Sequence, residues 1–122
     1  MPRKAHLLLI DDDPNTLASL ARAFRLAGHE ATVCDNAARA VELIRGEPFD
    51  LILSDVVMPG KNGFQVCREL KGHDQFKTIP VILVTSRDTA SDKFWGEQQG
   101  ADGYVTKPFT SEELLRAVKR FA

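Results

Sequence analysis

The 122-residue chain is short of several things, and each shortage narrows what it can be. No apolar run approaches the roughly 20 residues of a membrane span, so no membrane role is expected. The basic start, Met1-Pro2-Arg3-Lys4, is followed only by the apolar run Leu7 to Ile10. That run is too short for a secretory signal, and the cytoplasm is the expected compartment. Cysteine is scarce: Cys34 and Cys67 are far apart without metal-ligand spacing, and read as small buried hydrophobes. Net charge is also nearly absent, at −1, which leaves no electrostatic footprint for nucleic acid or an anionic membrane. There is no internal repeat and no low-complexity or Pro/Ser-rich linker, so residues 1–122 read as one domain.

What is present is a rhythm. Leu7-Leu8-Leu9-Ile10, Leu51-Ile52-Leu53 and Val81-Ile82-Leu83-Val84 are apolar without interruption. Unbroken runs suit strands covered on both faces, as in a parallel sheet. Glu30 to Cys34 and Gly103 to Thr106 are weaker strand candidates. Amphipathic segments alternate with them. Asp13-Pro14 offers an N-cap and a first-turn proline ahead of Leu17, Leu20, Ala21 and Phe24, and Gly28 closes that segment. Asn36 caps a second helix carrying Ala37, Ala40, Val41 and Ile44, ending at Gly46. A third runs from Gly63 to about Lys71, and Thr110 with Glu113 forms a capping box ahead of Leu114, Leu115, Val118 and Phe121. Ser91 to Gln99 has the poorest apolar stripe and contains Gly96, so a short, marginal helix is expected there. Strand and helix alternating five times predict a (βα)₅ doubly wound, flavodoxin-like α/β fold with five parallel strands.

In such a sheet, ligands bind beyond the carboxyl ends of the strands. The first strand ends in Asp11-Asp12-Asp13, the third in Ser54-Asp55, the fourth in Thr85-Ser86 and the fifth in Thr106-Lys107-Pro108. Crowded carboxylates need a cation, and an all-oxygen donor set without His or Cys suits Mg²⁺. An ionised Asp beside Mg²⁺ can act as a nucleophile toward phosphorus. Phosphoryl transfer then asks for positioning and charge neutralisation, for which Lys107 supplies a compact cation and Thr85 a hydroxyl donor. Only two acids are needed, and Asp13, next to Pro14, reads as the helix cap instead of a ligand.

Leu9-Ile10-Asp11-Asp12, Ser54-Asp55-Val56-Val57-Met58-Pro59-Gly60, Val84-Thr85-Ser86 and Lys107-Pro108-Phe109 together resemble the CheY-like receiver domains of two-component response regulators. The resemblance spans the chain. It implies that Asp55 is the phosphoacceptor, and that Asp11 and Asp12 hold Mg²⁺ with Asp55 and the backbone carbonyl of Val57. It further implies Thr85 as the switch hydroxyl, Lys107 as the phosphate-pairing lysine after which a cis peptide leads to Pro108, and Tyr104 as a rotamer switch. A histidine kinase or phosphotransfer protein would be the donor. A downstream protein would bind the face made by the fourth helix, fifth strand and fifth helix. The implied role is a signalling module in a phosphorelay without substrate turnover of its own. Asp92-Lys93-Phe94-Trp95-Gly96 with Gln99-Gly100-Ala101 also resembles stand-alone receivers of the chemotaxis-like systems of type IV pili.

Singly, these residues have plainer readings: solvated loop acids, a turn aspartate, a surface lysine, a β-forming threonine. Jointly, the plain readings need four coincidences on one sheet edge. Trp95 alone reads as partly buried packing, and His6, His29 and His73 as surface or packing residues. A phosphatase working through an aspartyl phosphate on Asp11, with Asp13 as its second acid, leaves Asp55 without a role. Two features bear on the lifetime of a phosphoryl group. The resemblance implies that Val57 and Arg87 flank the path of water to that group: Val57 cannot orient a water, and Arg87 is long enough to lie over the phosphoryl oxygens or to point into solvent instead.

Overall fold

The computed structural model describes residues 4–58, 60–87 and 89–121. The expected turn proline Pro59 and the N-terminal Met1-Pro2-Arg3 lie outside the described residues. The chain order is β1 (His6–Ile10), α1 (Pro14–Leu26), β2 (Glu30–Cys34), α2 (Ala37–Gly46), β3 (Leu51–Ser54), α3 (Gly63–Lys71), β4 (Val81–Thr85), α4 (Ala90–Gln98), β5 (Gly103–Thr106) and α5 (Ser111–Lys119). All strand pairings are parallel, in the order β2-β1-β3-β4-β5. The expected doubly wound fold is the observed one.

The two-residue period of a strand sorts the apolar runs into two cores. Leu8 and Ile10 of β1, Ile52 of β3, and Val81 and Leu83 of β4 meet Ala40 and Ile44 of α2 and Phe64, Val66 and Leu70 of α3. Their neighbours Leu7, Leu9, Leu51, Leu53, Ile82 and Val84 point the other way, onto Leu17, Leu20 and Phe24 of α1 and Leu114 and Val118 of α5. Both faces of the central strands are thus covered, which is why those runs contain no polar residue. The edge strand β2 is only partly covered, and its sequence is correspondingly mixed.

The helix starts follow the caps. Asp13 accepts from the Asn15 amide (3.2 Å), Asn36 accepts from the Arg39 amide (2.8 Å), and Thr110 with Glu113 forms the reciprocal box. Two further boxes, Asn62 with Gln65 and Thr89 with Asp92, open α3 and α4. Their three-residue spacing is legible in the sequence. The α4 helix is explained by its glycine: a methyl group at Gly96 would stand 3.1 Å from Leu83 and 3.4 Å from the Tyr104 ring. The bare backbone lets α4 settle onto β4 and β5 without a side-chain stripe. The expected packing of Trp95 is not observed. Trp95 and Phe94 are 52% and 60% exposed, because Gly96 is the residue α4 turns inward.

Candidate functional site

The parallel register brings the carboxyl ends of β1, β3, β4 and β5 to one edge. The Asp55 amide donates to the Ile10 carbonyl (2.9 Å) and the Lys107 amide to the Thr85 carbonyl (2.9 Å), so hydrogen bonding between strand ends continues past the strands. Asp11 and Asp55 are buried there, Thr85 is fully buried, and Asp12 is exposed. The expectation that these residues converge is met in the geometry.

Each carboxylate is held by specific donors. One oxygen of Asp11 accepts from the Asp13 amide (2.9 Å), and the other lies 2.7 Å from Lys107 Nζ. One oxygen of Asp55 accepts from the amides of Val56 (2.7 Å) and Val57 (3.3 Å), and the other is 3.1 Å from Lys107 Nζ. Lys107 therefore bridges Asp11 and Asp55. The Lys107-Pro108 peptide is cis. The loop after Asp55 is pinned from below by the Gly63 amide, which donates to the Val56 carbonyl (2.9 Å).

Burial pushes the Asp11 carboxyl above the usual carboxylate range, and its bonds to Lys107 and the Asp13 amide only partly offset this. For Lys107, burial is the largest single effect and pulls downward. The bonds and charges of Asp11 and Asp55 outweigh it together, and the ammonium is held above its usual range. The lysine is firmly cationic, while Asp11 is reluctant to be an anion. One lysine does not balance three acids.

That imbalance leaves a cluster that could hold a cation. Asp11, Asp12 and Asp55 each present an oxygen within 4.8 Å of the others, two of them on buried residues. An oxygen-only donor set with one exposed member, open to metal-bound water, matches the preferences of Mg²⁺. Asp13 stays out of this group. Its carboxylate caps α1 and accepts from the Thr16 hydroxyl (2.7 Å), which holds it below the usual range.

Tyr104 is half-buried, and its hydroxyl donates to the Arg87 carbonyl in the loop after β4. The sequence left Arg87 free to lie over the phosphoryl position or to point into solvent, and in the structure its half-exposed side chain pairs with Asp92. Its Nε and Nη2 atoms lie 3.0 and 2.9 Å from one Asp92 oxygen, and its guanidinium sits 6.0 Å from the Phe64 ring centre. A partner five residues away on the next helix satisfies the cation more directly. Sequence reasoning missed this pair, for which the Thr89–Asp92 capping box is the available signal.

The histidines occupy surface or packing positions as expected, His73 being exposed. His6 bridges the Pro48 carbonyl and the Thr32 hydroxyl, and His29 accepts from the Ala5 amide. Among the described residues no helix is long and apolar enough to cross a membrane.

Similarity to known proteins points to one family. The family described as the response regulator receiver domain matches residues 7–119. Protein PilH of Pseudomonas aeruginosa is 41% identical over 114 residues, covering 93% of this chain and 94% of that protein. The transcriptional regulatory protein TcrA of Mycobacterium tuberculosis is 38% identical over 93% of this chain, which spans only 46% of TcrA's length. Among solved structures, the chemotaxis protein CheY4 of Vibrio cholerae superposes with a TM-score of 0.92 at 28% identity, covering 98% of this chain and all of that one. The receiver domain of sensor histidine kinase PA1611 from P. aeruginosa has a magnesium ion coordinated in its active-site cleft. It superposes with a TM-score of 0.88 at 26% identity, covering 98% of both chains.

Proposed function

Because the chain belongs to the response regulator receiver domain family, a family of signalling modules and not of classical enzymes, we propose that it takes a phosphoryl group onto Asp55. The observation that carries this reading is the bridge from Lys107 to both Asp11 and Asp55 at the mouth of an all-oxygen acidic cluster. The Asp55 oxygen that faces Lys107 is the nucleophile, since the other is occupied by the Val56 and Val57 amides. It attacks phosphorus as the donor's P–N bond breaks and the imidazole of a kinase or phosphotransfer protein leaves with the electron pair. The two amides hold the attacking carboxylate in one orientation, which is most of what phosphoryl transfer requires of a protein. Asp11, Asp12, Asp55 and the backbone carbonyl of Val57 would hold Mg²⁺, which when bound supplies charge neutralisation for the transferred oxygens.

After transfer, Lys107 pairs with a phosphoryl oxygen and the Thr85 hydroxyl donates to another. Tyr104 then leaves the Arg87 carbonyl, and the α4-β5-α5 face changes its affinity for a downstream protein. Residues 1–122 act as one such unit in the cytoplasm. The likeness to PilH supports a regulator of the type IV pilus, chemotaxis-like kind. Incubation with acetyl phosphate and Mg²⁺, followed by intact-mass measurement and mapping of the acyl phosphate, tests the acceptor. Wild type gains one phosphoryl group on Asp55 and Asp55→Asn gains none. A label on Asp11 or a full adduct on the Asn variant refutes the assignment.

A further inference from the structure

We propose that Arg87 and Asp92 form a positioning pair that holds the Arg87 backbone after β4 in its present arrangement and so sets how readily the domain accepts a phosphoryl group. The inference rests on the reading of Asp55 and Thr85 given above.

Arg87 is a junction. Its amide donates to the Thr85 hydroxyl (3.4 Å), and its carbonyl accepts from the Tyr104 hydroxyl. Its side chain ties this backbone to α4 through two contacts to Asp92 and lies over Phe64 in the first turn of α3. Asp92 is itself fixed: its other oxygen accepts from the Thr89 hydroxyl (2.7 Å), and its amide donates back to that hydroxyl (3.1 Å). Bonds to Thr89 and Arg87 hold the Asp92 carboxyl below the usual range, so it is an anion at neutral pH. The Asp92 side chain is largely covered, whereas that of Arg87 is half exposed.

Two groups that the proposed function requires to move, the Thr85 hydroxyl and the Tyr104 ring, are therefore both held by the backbone of a single residue. That residue is anchored by its own guanidinium. With Asp55 a free carboxylate, the anchor favours the arrangement in which the Thr85 hydroxyl accepts from the Arg87 amide, a contact that its movement toward a phosphoryl oxygen would break. Whatever stabilises only one of two loop states biases the equilibrium by that amount. For a half-exposed ion pair, the bias is about two- to fivefold in the equilibrium constant. Removing the pair loosens the loop and eases capture of a phosphoryl mimic.

The test is a titration with beryllofluoride in the presence of Mg²⁺, read by ¹⁹F NMR of the bound mimic. It uses wild type, Arg87→Ala, Asp92→Asn, the double variant and Arg87→Lys. Asp92→Asn keeps the α4 cap acceptor and removes only the charge. The expected result is about two- to fivefold tighter apparent binding for each single variant, no further gain in the double variant, and partial return in Arg87→Lys. Mg²⁺ affinity without beryllofluoride stays at the wild-type value. Unchanged or weaker binding in Arg87→Ala overturns the proposal, as do effects of the two substitutions that simply add. If wild type binds no beryllofluoride, or Asp55→Asn binds it as well as wild type, the reading of the site falls first and the proposal with it.

Discussion

Gly63 opens α3 directly beneath the loop that carries Asp55, and replacing it with alanine should loosen the site from below. A methyl carbon there would stand 2.1 Å from the Asp55 carbonyl oxygen, 2.9 Å from the Asp55 carbonyl carbon and 3.0 Å from the Val56 Cα. All three neighbours are backbone, so no side chain can rotate away. Restoring ordinary contact means withdrawing the start of α3 by about 1 Å, against a helix whose Phe64, Val66, Cys67 and Leu70 are buried. Overpacking of this kind costs about 1–3 kcal/mol. Stretching the bond from the Gly63 amide to Val56 adds about 1 kcal/mol. The sum, about 2–4 kcal/mol, should lower the melting temperature by roughly 10 °C in a domain of this size. Gly46→Ala is the control, since no atom lies near its added methyl, and it should change stability by less than about 1 kcal/mol. Thermal melts followed by circular dichroism compare the two. If Gly63→Ala melts within about 2 °C of wild type, the close approach of α3 to Asp55 does not constrain this loop as argued.

Other expectations follow from the charges. Asp12→Ala removes an exposed acid from the cluster, and in chelator it should be at least as stable as wild type. It should also lose most of the melting-temperature rise that Mg²⁺ gives wild type, and an undiminished rise would exclude Asp12 as a ligand. Asp11 has its folded-state pKa raised chiefly by burial, so its stabilising contribution is complete below the ordinary carboxylate value and lost as pH climbs through the raised one. Metal-free Asp11→Asn should therefore match or exceed wild type near neutral pH and lose that advantage on acidification, as urea melts between about pH 4 and 8 would show. An advantage that grows on acidification would contradict the burial argument. Val57 is 56% exposed, so Val57→Asn should leave stability unchanged. It should also speed loss of phosphate once the donor is removed, by supplying a side chain that can orient water. Decay no faster than wild type would mean that water at this position does not set the lifetime.

Much of this molecule is determined by local chemistry that any reader of the chain can find. Uninterrupted runs such as Val81 to Val84 require cover on both faces, which forces a parallel, doubly wound sheet. Caps such as Asp13 and Thr110 act within one turn of helix, so their partners are always a few residues away. The acids, hydroxyl and lysine at the strand ends follow as a group, because parallel strands bring all their carboxyl ends to one edge. Other features were decided only in three dimensions. Gly96 weakens a helix by propensity, yet its lack of a side chain is what lets α4 rest on Leu83 and Tyr104. Trp95 is exposed for the same reason. The sequence left Arg87 over the site or out in solvent, and only the position of Asp92 on α4 revealed the pair it makes. Lys107 and Asp11 are 96 residues apart, and nothing local makes Asp11 a reluctant anion. That property comes from the burial created when β1, β3 and β5 end together, because desolvation depends on every neighbour a group acquires and not on the residues beside it in the chain.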